Sequence, residues 1–296
     1  LRALVTGATG FVGSRLARRL VAEGHSVGVV SRAGSNRDQL ADVVDRIEFY
    51  PVDETAESVR QAVSRSRPDV VFHLATYYAR DHRCEDLEPM LEANVAFPLR
   101  LVDAMTREGV RRFVNTASAW QYSDPQQYRP VCLHSATKEA FQALLEYFVD
   151  AGKIDAITLA LHDTYGPGDP RRKIFSLLRD RAGTTEVLEM SGGEQLIDLI
   201  HVDDAVAAYA IAAQRLLERD GAAHEVYSVS GGRPLSLRRV VETYLVNAGL
   251  DVPIRWGGRL YHEREVMVPW AGGAALPGWR PQVDVEEGLR RLALGQ

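Results

Sequence analysis

The chain has 296 residues, 46% of them hydrophobic, and a formal net charge of −5. That length and apolar content fit one large globular domain or two sharing a core, not a disordered chain, and the negative balance gives no general attraction to nucleic acid. No apolar run approaches the roughly 20 residues of a membrane span, no signal segment precedes the first strand, and the two cysteines, Cys84 and Cys132, lack metal-ligand spacing and read as free thiols of a reducing compartment. A cytoplasmic protein without a metal centre is expected.

Ala3-Leu4-Val5 reads as a buried strand. Glycines follow at 7, 10 and 13, and Ser14 to Glu23 reads as a helix stopped by Gly24. Strand, glycine turn and helix form the context of a dinucleotide site. Gly7 permits the tight turn, Gly10 lets the backbone approach a pyrophosphate, and Gly13 lets the helix pack on the strand. The open N–H groups of the first helical turn then face the phosphates.

The stretch Gly7-Ala8-Thr9-Gly10-Phe11-Val12-Gly13 resembles the opening of the extended short-chain dehydrogenase/reductases, NAD(P)-dependent enzymes that act largely on nucleotide-activated sugars. The second strand, Ser26 to Val30, runs into Ser31-Arg32 with no acid to bind the adenosine ribose hydroxyls. Ser31 and Arg32, with Arg37 as a second cation, suit the 2′-phosphate of NADP(H); a solvated basic loop is the competing reading. The third strand, Arg46 to Asp53, ends on an acid. The resemblance places Asp53 near the adenine amino group, while a cap for the following helix explains it equally.

Asp69 to Ala75 is nearly all apolar, as a parallel strand covered on both faces should be. Its His73-Leu74-Ala75 ending is similar to the family's segment behind the cofactor, with His73 structural. Leu87 to Thr106 reads as one long helix despite Pro89 and Pro98, and carries Asn94-Val95, similar to the Asn-Val behind the family's active site. Val110 to Ser118 is the fifth strand. The alternation predicts an α/β fold with a doubly wound parallel sheet. A polar, aromatic loop, Ala119 to Pro130, leads to a helix from about Ser135 to Asp150, with Lys138 in its first turn.

Ala156 to Leu161 is the sixth strand, and Tyr165-Gly166-Pro167-Gly168 resembles the family's turn into its substrate region. Arg171-Arg172-Lys173 faces either a diphosphate or solvent. Gly193 to Val206 resembles the return to the sheet, with Asp203 and Asp204 favourably placed at a helix N-terminus. Arg255 and Arg264, in stretches similar to the family's smaller domain, are diphosphate candidates. Residues 1–165, rejoined by 201–230, are expected to form a Rossmann domain, and 166–200 with 231–296 a substrate-binding region.

The resemblance implies cofactor contacts from Gly7, Thr9, Gly10, Phe11, Val12, Gly13, Ser31, Arg32, Arg37, Asp53, Leu74, Ala75, Asn94, Thr116, Lys138 and Leu161. It implies substrate contacts from Trp120, Asp163, Arg171, Lys173, Arg255 and Arg264. The family's catalytic set is a Ser or Thr after the fifth strand, then Tyr-x-x-x-Lys. Ser118 matches the hydroxyl that polarises a carbonyl, and Lys138 the lysine that holds the nicotinamide ribose. The tyrosine position is His134. Three readings are open: an imidazolium donates the proton, Tyr122 or Tyr128 swings in, or redox activity is reduced. Ala160, Asp163 and Leu196-Ile197-Asp198 also depart from the family pattern. The whole implies NADPH-dependent reduction of a nucleotide-linked 4-keto-6-deoxy sugar by a homodimer. An epimerase or dehydratase of the same fold, or a nucleotide-binding protein without turnover, are the alternatives.

Overall fold

The computed structural model describes residues 1–123 and 128–295; Asp124 to Gln127 of the aromatic loop lie outside the described residues. Strands and helices alternate as β1 (Arg2–Thr6), α1 (Phe11–Ala22), β2 (Ser26–Arg32), β3 (Ile47–Val52), α2 (Ala56–Ser66), β4 (Val70–His73), α3 (Leu87–Leu91), α4 (Phe97–Arg107), β5 (Arg112–Ser118), α5 (Leu133–Asp150) and β6 (Asp155–Leu161). Short elements follow: β7 (Asp163–Tyr165), α6 (Ile174–Arg181), β8 (Leu188–Met190), β9 (Leu196–Ile197) and β10 (Leu199–His201). The chain closes with α7 (Val202–Glu218), β11 (His224–Val229), β12 (Leu235–Ser236), α8 (Leu237–Ala248), β13 (Ile254–Trp256), β14 (Ala274–Ala275) and α9 (Val285–Leu294).

Eight strands form one sheet in the order β14-β11-β6-β5-β4-β1-β2-β3, and every neighbouring pair is parallel. Runs such as Val70-Val71-Phe72 are buried throughout, because helices cover both faces. Leu16, Leu20, Val206 and Tyr209 of α1 and α7 pack on one face; Val59, Leu101, Phe141 and Leu145 of α2, α4 and α5 pack on the other. A third apolar cluster, with Phe175, Tyr244 and Leu289, joins α6, α8 and α9.

The chain leaves β1 towards β2 and β3 and returns to β4 on the other side of β1. At such a reversal the carboxyl ends of the two central strands open a crevice. The predicted long helix is interrupted: a π-turn, Glu92–Ala96, links α3 to α4 and turns Asn94 inward. Such bulges gather at functional sites. Pro98 sits at the start of α4, where its missing N–H costs little. Helix α5 starts two residues earlier than expected, so His134 lies in its first turn and Lys138 in the next.

Strand β14 gave no signal of its own in the sequence. Asp204 is structural: its carboxylate accepts N–H bonds from Gln282 and Val283 at 3.0 and 2.9 Å, and Trp279 Nε1 donates to its carbonyl at 3.0 Å. Those bonds clamp the C-terminal segment to α7. No helix among the described residues is long and apolar enough to cross a membrane.

Candidate active site

The glycine turn builds a cradle at the β1–β4 crevice. Gly7 has φ +70°, and a Cβ there would lie 2.5 Å from the Ala75 nitrogen. A Cβ on Gly13 would collide with the Gly7 carbonyl. Gly10 is the N-cap of α1 and supplies no side-chain cap, and the first turn of the helix holds no acid. The outer side of Gly10 is open, since an added Cβ would meet only the Gly7 carbonyl at 3.3 Å. The N–H groups at Phe11 and Val12 and the positive helix end thus face an open crevice, and these residues fit the pyrophosphate of a dinucleotide. Thr6 fixes the opposite wall: its hydroxyl accepts from the Leu74 and Ala75 N–H groups at 3.2 Å and lies 2.9 Å from His73 Nδ1. His73 is buried and held neutral by that burial, a structural group.

At the end of β2 the Ser31 hydroxyl is buried without a hydrogen-bond partner. Arg32 is exposed, and among the described residues it makes no ion pair. Arg37 lies on the Phe49 ring at 3.8 Å. Asp53 accepts from the Thr55 N–H at 2.8 Å, and Thr55 caps α2, so the local turn accounts for this acid, and its carboxyl sits well below the usual range because of the Ser58 and Thr55 bonds.

His134, Lys138 and Asn94 are gathered around the start of α5, and Ser118 is tied to the same helix through Gln121. Ser118 ends β5; its N–H donates to Gln121 Oε1 at 2.9 Å, and Gln121 in turn donates to Glu139 on α5 at 2.6 Å. The Ser118 Oγ accepts the Trp120 N–H at 3.2 Å, which leaves its O–H to donate. Thr116, on the same strand, donates to the His73 carbonyl at 2.6 Å, and Leu161 closes β6 beside Ser118. Asn94 ties the loop after β4 to α5, donating to the Tyr77 carbonyl at 3.0 Å and Thr137 Oγ1 at 2.9 Å. His134 is 7% exposed, with Nε2 3.1 Å from Thr76 Oγ1. Burial, reinforced by the Lys138 charge, pushes its pKa down to about 3. Of the three readings open from the sequence, this burial and the Lys138 charge weigh against the imidazolium donor. Burial also pushes Lys138 down to about 8.

Beside these groups lies a cavity of about 610 Å³ lined by Trp120, Tyr122, Asp163, Lys173 and Trp270. Tyr122 stacks on Trp270 at 4.4 Å in the cavity wall. Tyr128 is 44% exposed and outside the lining. Tyr78, which sequence reasoning missed, lines the cavity and packs edge-on against His134 at 5.1 Å. Asp163 pairs with Lys173 at 3.5 Å, which offsets the charge that would repel a diphosphate.

The arginines are redistributed. Arg171 is engaged by Asp169 and the Thr164 carbonyl and lies over Phe11 at 4.7 Å. Arg255 pairs with Glu189 at 2.9 Å outside the lining. Arg264 donates to the Pro130 and Val131 carbonyls. Arg80, Arg172 and Arg259 line the cavity instead. Arg172 belongs to the Arg171-Arg172-Lys173 run named from the sequence, whereas Arg80 and Arg259 stand in loops without a motif; the stacking of Arg80 on Trp120 at 5.0 Å fixes its position. A larger groove of about 860 Å³, with Arg2, Asp69 and Arg219, lies at the amino ends of the strands, remote from the crevice. Among the described residues no cluster of three side chains could hold a metal ion.

The family profile described as NAD dependent epimerase/dehydratase family matches residues 3–229. The chain is 28% identical to CDP-abequose synthase of Salmonella typhimurium, over 98% of this chain and 96% of that one. It is 30% identical to dTDP-glucose 4,6-dehydratase of Streptomyces griseus, over 97% and 91% of the two chains. The fold matches the UDP-glucose 4-epimerase of Thermotoga maritima, solved with UDP-glucose, with a TM-score of 0.85, 22% identity and coverage of 100% and 98%. With a crevice shaped for a dinucleotide and a profile match spanning most of its length, the chain belongs to the NAD-dependent epimerase/dehydratase family, the extended short-chain dehydrogenase/reductase enzymes of nucleotide sugars.

Proposed function

We propose that the protein reduces the ketone of a nucleotide-linked 4-keto-6-deoxy sugar with NADPH. The observation that carries this reading is the end of β2, where a buried, unpartnered Ser31 hydroxyl stands beside exposed Arg32 and no acid meets the ribose. Similarity to CDP-abequose synthase along 98% of the chain supports it. Residues 1–165 and 201–230 would hold the dinucleotide, and 166–200 with 231–296 the sugar nucleotide. Gly7 to Gly13 cradle the pyrophosphate, Ser31 and Arg32 take the 2′-phosphate, and Lys138 holds the ribose. When bound, a reduced nicotinamide would supply the hydride for the carbonyl carbon. Ser118 donates its O–H to the carbonyl oxygen, Trp120 and the Asp163–Lys173 pair bound the sugar side, and Tyr78, packed against His134 at the cavity wall, would protonate the oxygen. The test is oxidation of NADPH, followed by absorbance, with CDP-, dTDP- and UDP-linked 4-keto-6-deoxyhexoses; no oxidation with any of them overturns the reading. A second reading, binding without turnover, is favoured by the neutral His134, and the same assay beside calorimetry separates the two.

NADPH is expected to bind at least tenfold tighter than NADH, about 1.4 kcal/mol, and Arg32→Ala to remove most of that gap. Equal affinities in the parent protein, measured by fluorescence titration, refute the NADP assignment.

A homodimer is expected as well. Phe141 and Leu145 of α5 enter the chain's own core and Phe148 packs against it, so they are not free to form an interface. Ala140, Leu144 and Tyr147 remain on the outer face of α5, Leu144 37% and Tyr147 70% exposed, with Leu91 of α3 53% exposed. Residues at this spacing form one stripe, suited to pairing in a four-helix arrangement. Light scattering at micromolar concentration should give twice the chain mass, and Leu144→Glu with Tyr147→Glu should halve it; a monomeric parent rules the arrangement out.

A further inference from the structure

The groove of about 860 Å³ at the amino ends of the strands has no part in the reaction proposed above, and its charges do not balance. Five arginines and four carboxylates line it. Most of them are paired. Arg2 meets Asp69 at 3.3 Å, Arg219 holds the buried Asp155, and Glu108 is taken by Arg60 at 2.7 Å from outside the lining. Arg67, Arg111 and Arg112 make no ion pair among the described residues, and exposed Asp220 is the one carboxylate of the lining left facing them. Three guanidiniums thus stand against one carboxylate, on a chain whose net charge is −5. Arg112 is half-buried, and its Nε donates to the Leu216 carbonyl at 3.0 Å. That bond steadies the fork and leaves both terminal nitrogens without a partner among the described residues.

The backbone supplies an independent sign. Helices α1, α4, α5, α8 and α9 are each followed within two residues by a glycine at positive φ: Gly24, Gly109, Gly152, Gly249 and Gly295. Space is not the reason, because a Cβ at any of these five would meet nothing within 4 Å. The left-handed backbone that closes a helix is the reason. Helix α2 ends in the same conformation on Arg67, with φ +43° and ψ +57°. Arg67 is the only non-glycine residue at positive φ among the described residues. A side chain is strained there, and no ion pair or side-chain hydrogen bond among the described residues offsets the strain. What the arginine does supply is a guanidinium on the wall of the groove.

We propose that this groove is a second anion site and binds an oligophosphate, either pyrophosphate or the diphosphate of a nucleotide. A guanidinium fork presents paired N–H groups that match two oxygens of one phosphate. Three forks around one groove offer more donors than a single phosphate takes up, and two adjoining phosphates carry enough negative charge to outweigh Asp220. Arg2, Arg112 and Asp155 open β1, β5 and β6, so the groove lies at the opposite end of the sheet from the glycine cradle.

The test is calorimetric titration of the full chain with pyrophosphate at low ionic strength, where exposed charges are least screened. CDP and inorganic phosphate are titrated in parallel. The parent should bind pyrophosphate, and Arg111→Ala and Arg67→Gly should each weaken that binding about fivefold or more. Asp220→Asn should tighten it about twofold. Arg67→Gly should also raise the melting temperature of the unliganded protein, on the order of 2 °C, so its lost affinity does not come from unfolding. Gly10→Ala, which crowds the cradle, should leave binding in the groove as it is. No binding by the parent at millimolar pyrophosphate overturns the proposal. Binding that either groove variant leaves unchanged, or that Gly10→Ala abolishes, overturns it too. Inorganic phosphate bound as tightly as pyrophosphate overturns the choice of an oligophosphate. CDP bound more tightly than pyrophosphate, and weakened by the same two groove variants, assigns the nucleotide as the source; CDP bound no more tightly assigns pyrophosphate.

Discussion

Replacing Lys138 by methionine is expected to raise the melting temperature while removing turnover. Lys138 is 5% exposed, and burial alone moves its pKa from 10.5 to about 8. At 1.36 kcal/mol per unit, holding the ammonium in this place costs the fold at most about 3 kcal/mol. The sign follows from linkage. In the unfolded chain the amine keeps its proton up to about pH 10, whereas the folded protein releases it near pH 8. Below pH 8 both states are charged and the full penalty weighs on the fold. Between pH 8 and about 10.5 the folded state loses the proton first, so the penalty fades as pH rises. Methionine is of similar length, and no hydrogen bond of the ammonium is lost among the described residues. Thermal denaturation should therefore show a gain on the order of 5 °C at pH 7, shrinking steadily above pH 8. Turnover should fall on the order of 10²-fold or more if, as proposed, Lys138 holds the ribose in place. A variant less stable than the parent at pH 7 would reveal a favourable partner for the ammonium. One that keeps its turnover would remove Lys138 from the site.

The parts of this molecule that were legible in the sequence are those whose cause is local. Gly7, Gly10 and Gly13 declare the turn because φ, close approach and helix packing are decided within a few residues. Buried parallel strands such as Val70 to His73 show as unbroken apolar runs. Ser118 and Lys138 were singled out by their order along the chain, and they stand at the end of β5 and in α5 as that order implies. The arginines were not legible. Arg171, Arg255 and Arg264 occupy stretches where a diphosphate contact seemed due, yet each is engaged by a carboxylate or carbonyl that folding brings near. A long flexible cation takes the partner that tertiary structure offers, and local sequence does not name it. Tyr78, Arg80 and Trp270 were missed for the complementary reason: they come from loops without periodicity and meet the site only through stacking on His134, Trp120 and Tyr122. The charge state of His134 lies between these cases. Lys138 is visible four residues away and argues against protonation, but the larger cause is burial, which only the packed loop after β4 supplies.

His134→Tyr is expected to increase ketone reduction on the order of 10²–10⁴-fold, the usual worth of a placed general acid. The parent ring has a pKa of about 3 and stays neutral above pH 4, so it holds no transferable proton at working pH. Parent turnover should accordingly show no decline as pH rises through 6 to 7. A decline there would mean that the imidazole titrates in the ordinary histidine range, against the burial and the Lys138 charge that keep it neutral. A phenol at position 134 would stand one helical turn before the Lys138 ammonium, whose charge favours phenolate and eases proton release. The larger ring must be accommodated, and overpacking a filled site commonly costs 1–3 kcal/mol. Here the neighbour on the open side is Tyr78, itself 51% exposed and able to shift. NADPH affinity should hardly change, since the glycine cradle, Arg32 and Lys138 are untouched, and calorimetry checks this separately. Intact binding with no gain in rate would show that proton supply does not limit the reaction, and that Tyr78 or water already meets the need. Tyr78→Phe then distinguishes those two: a loss of the residual parent rate assigns the proton to the Tyr78 phenol, and an unchanged rate assigns it to water.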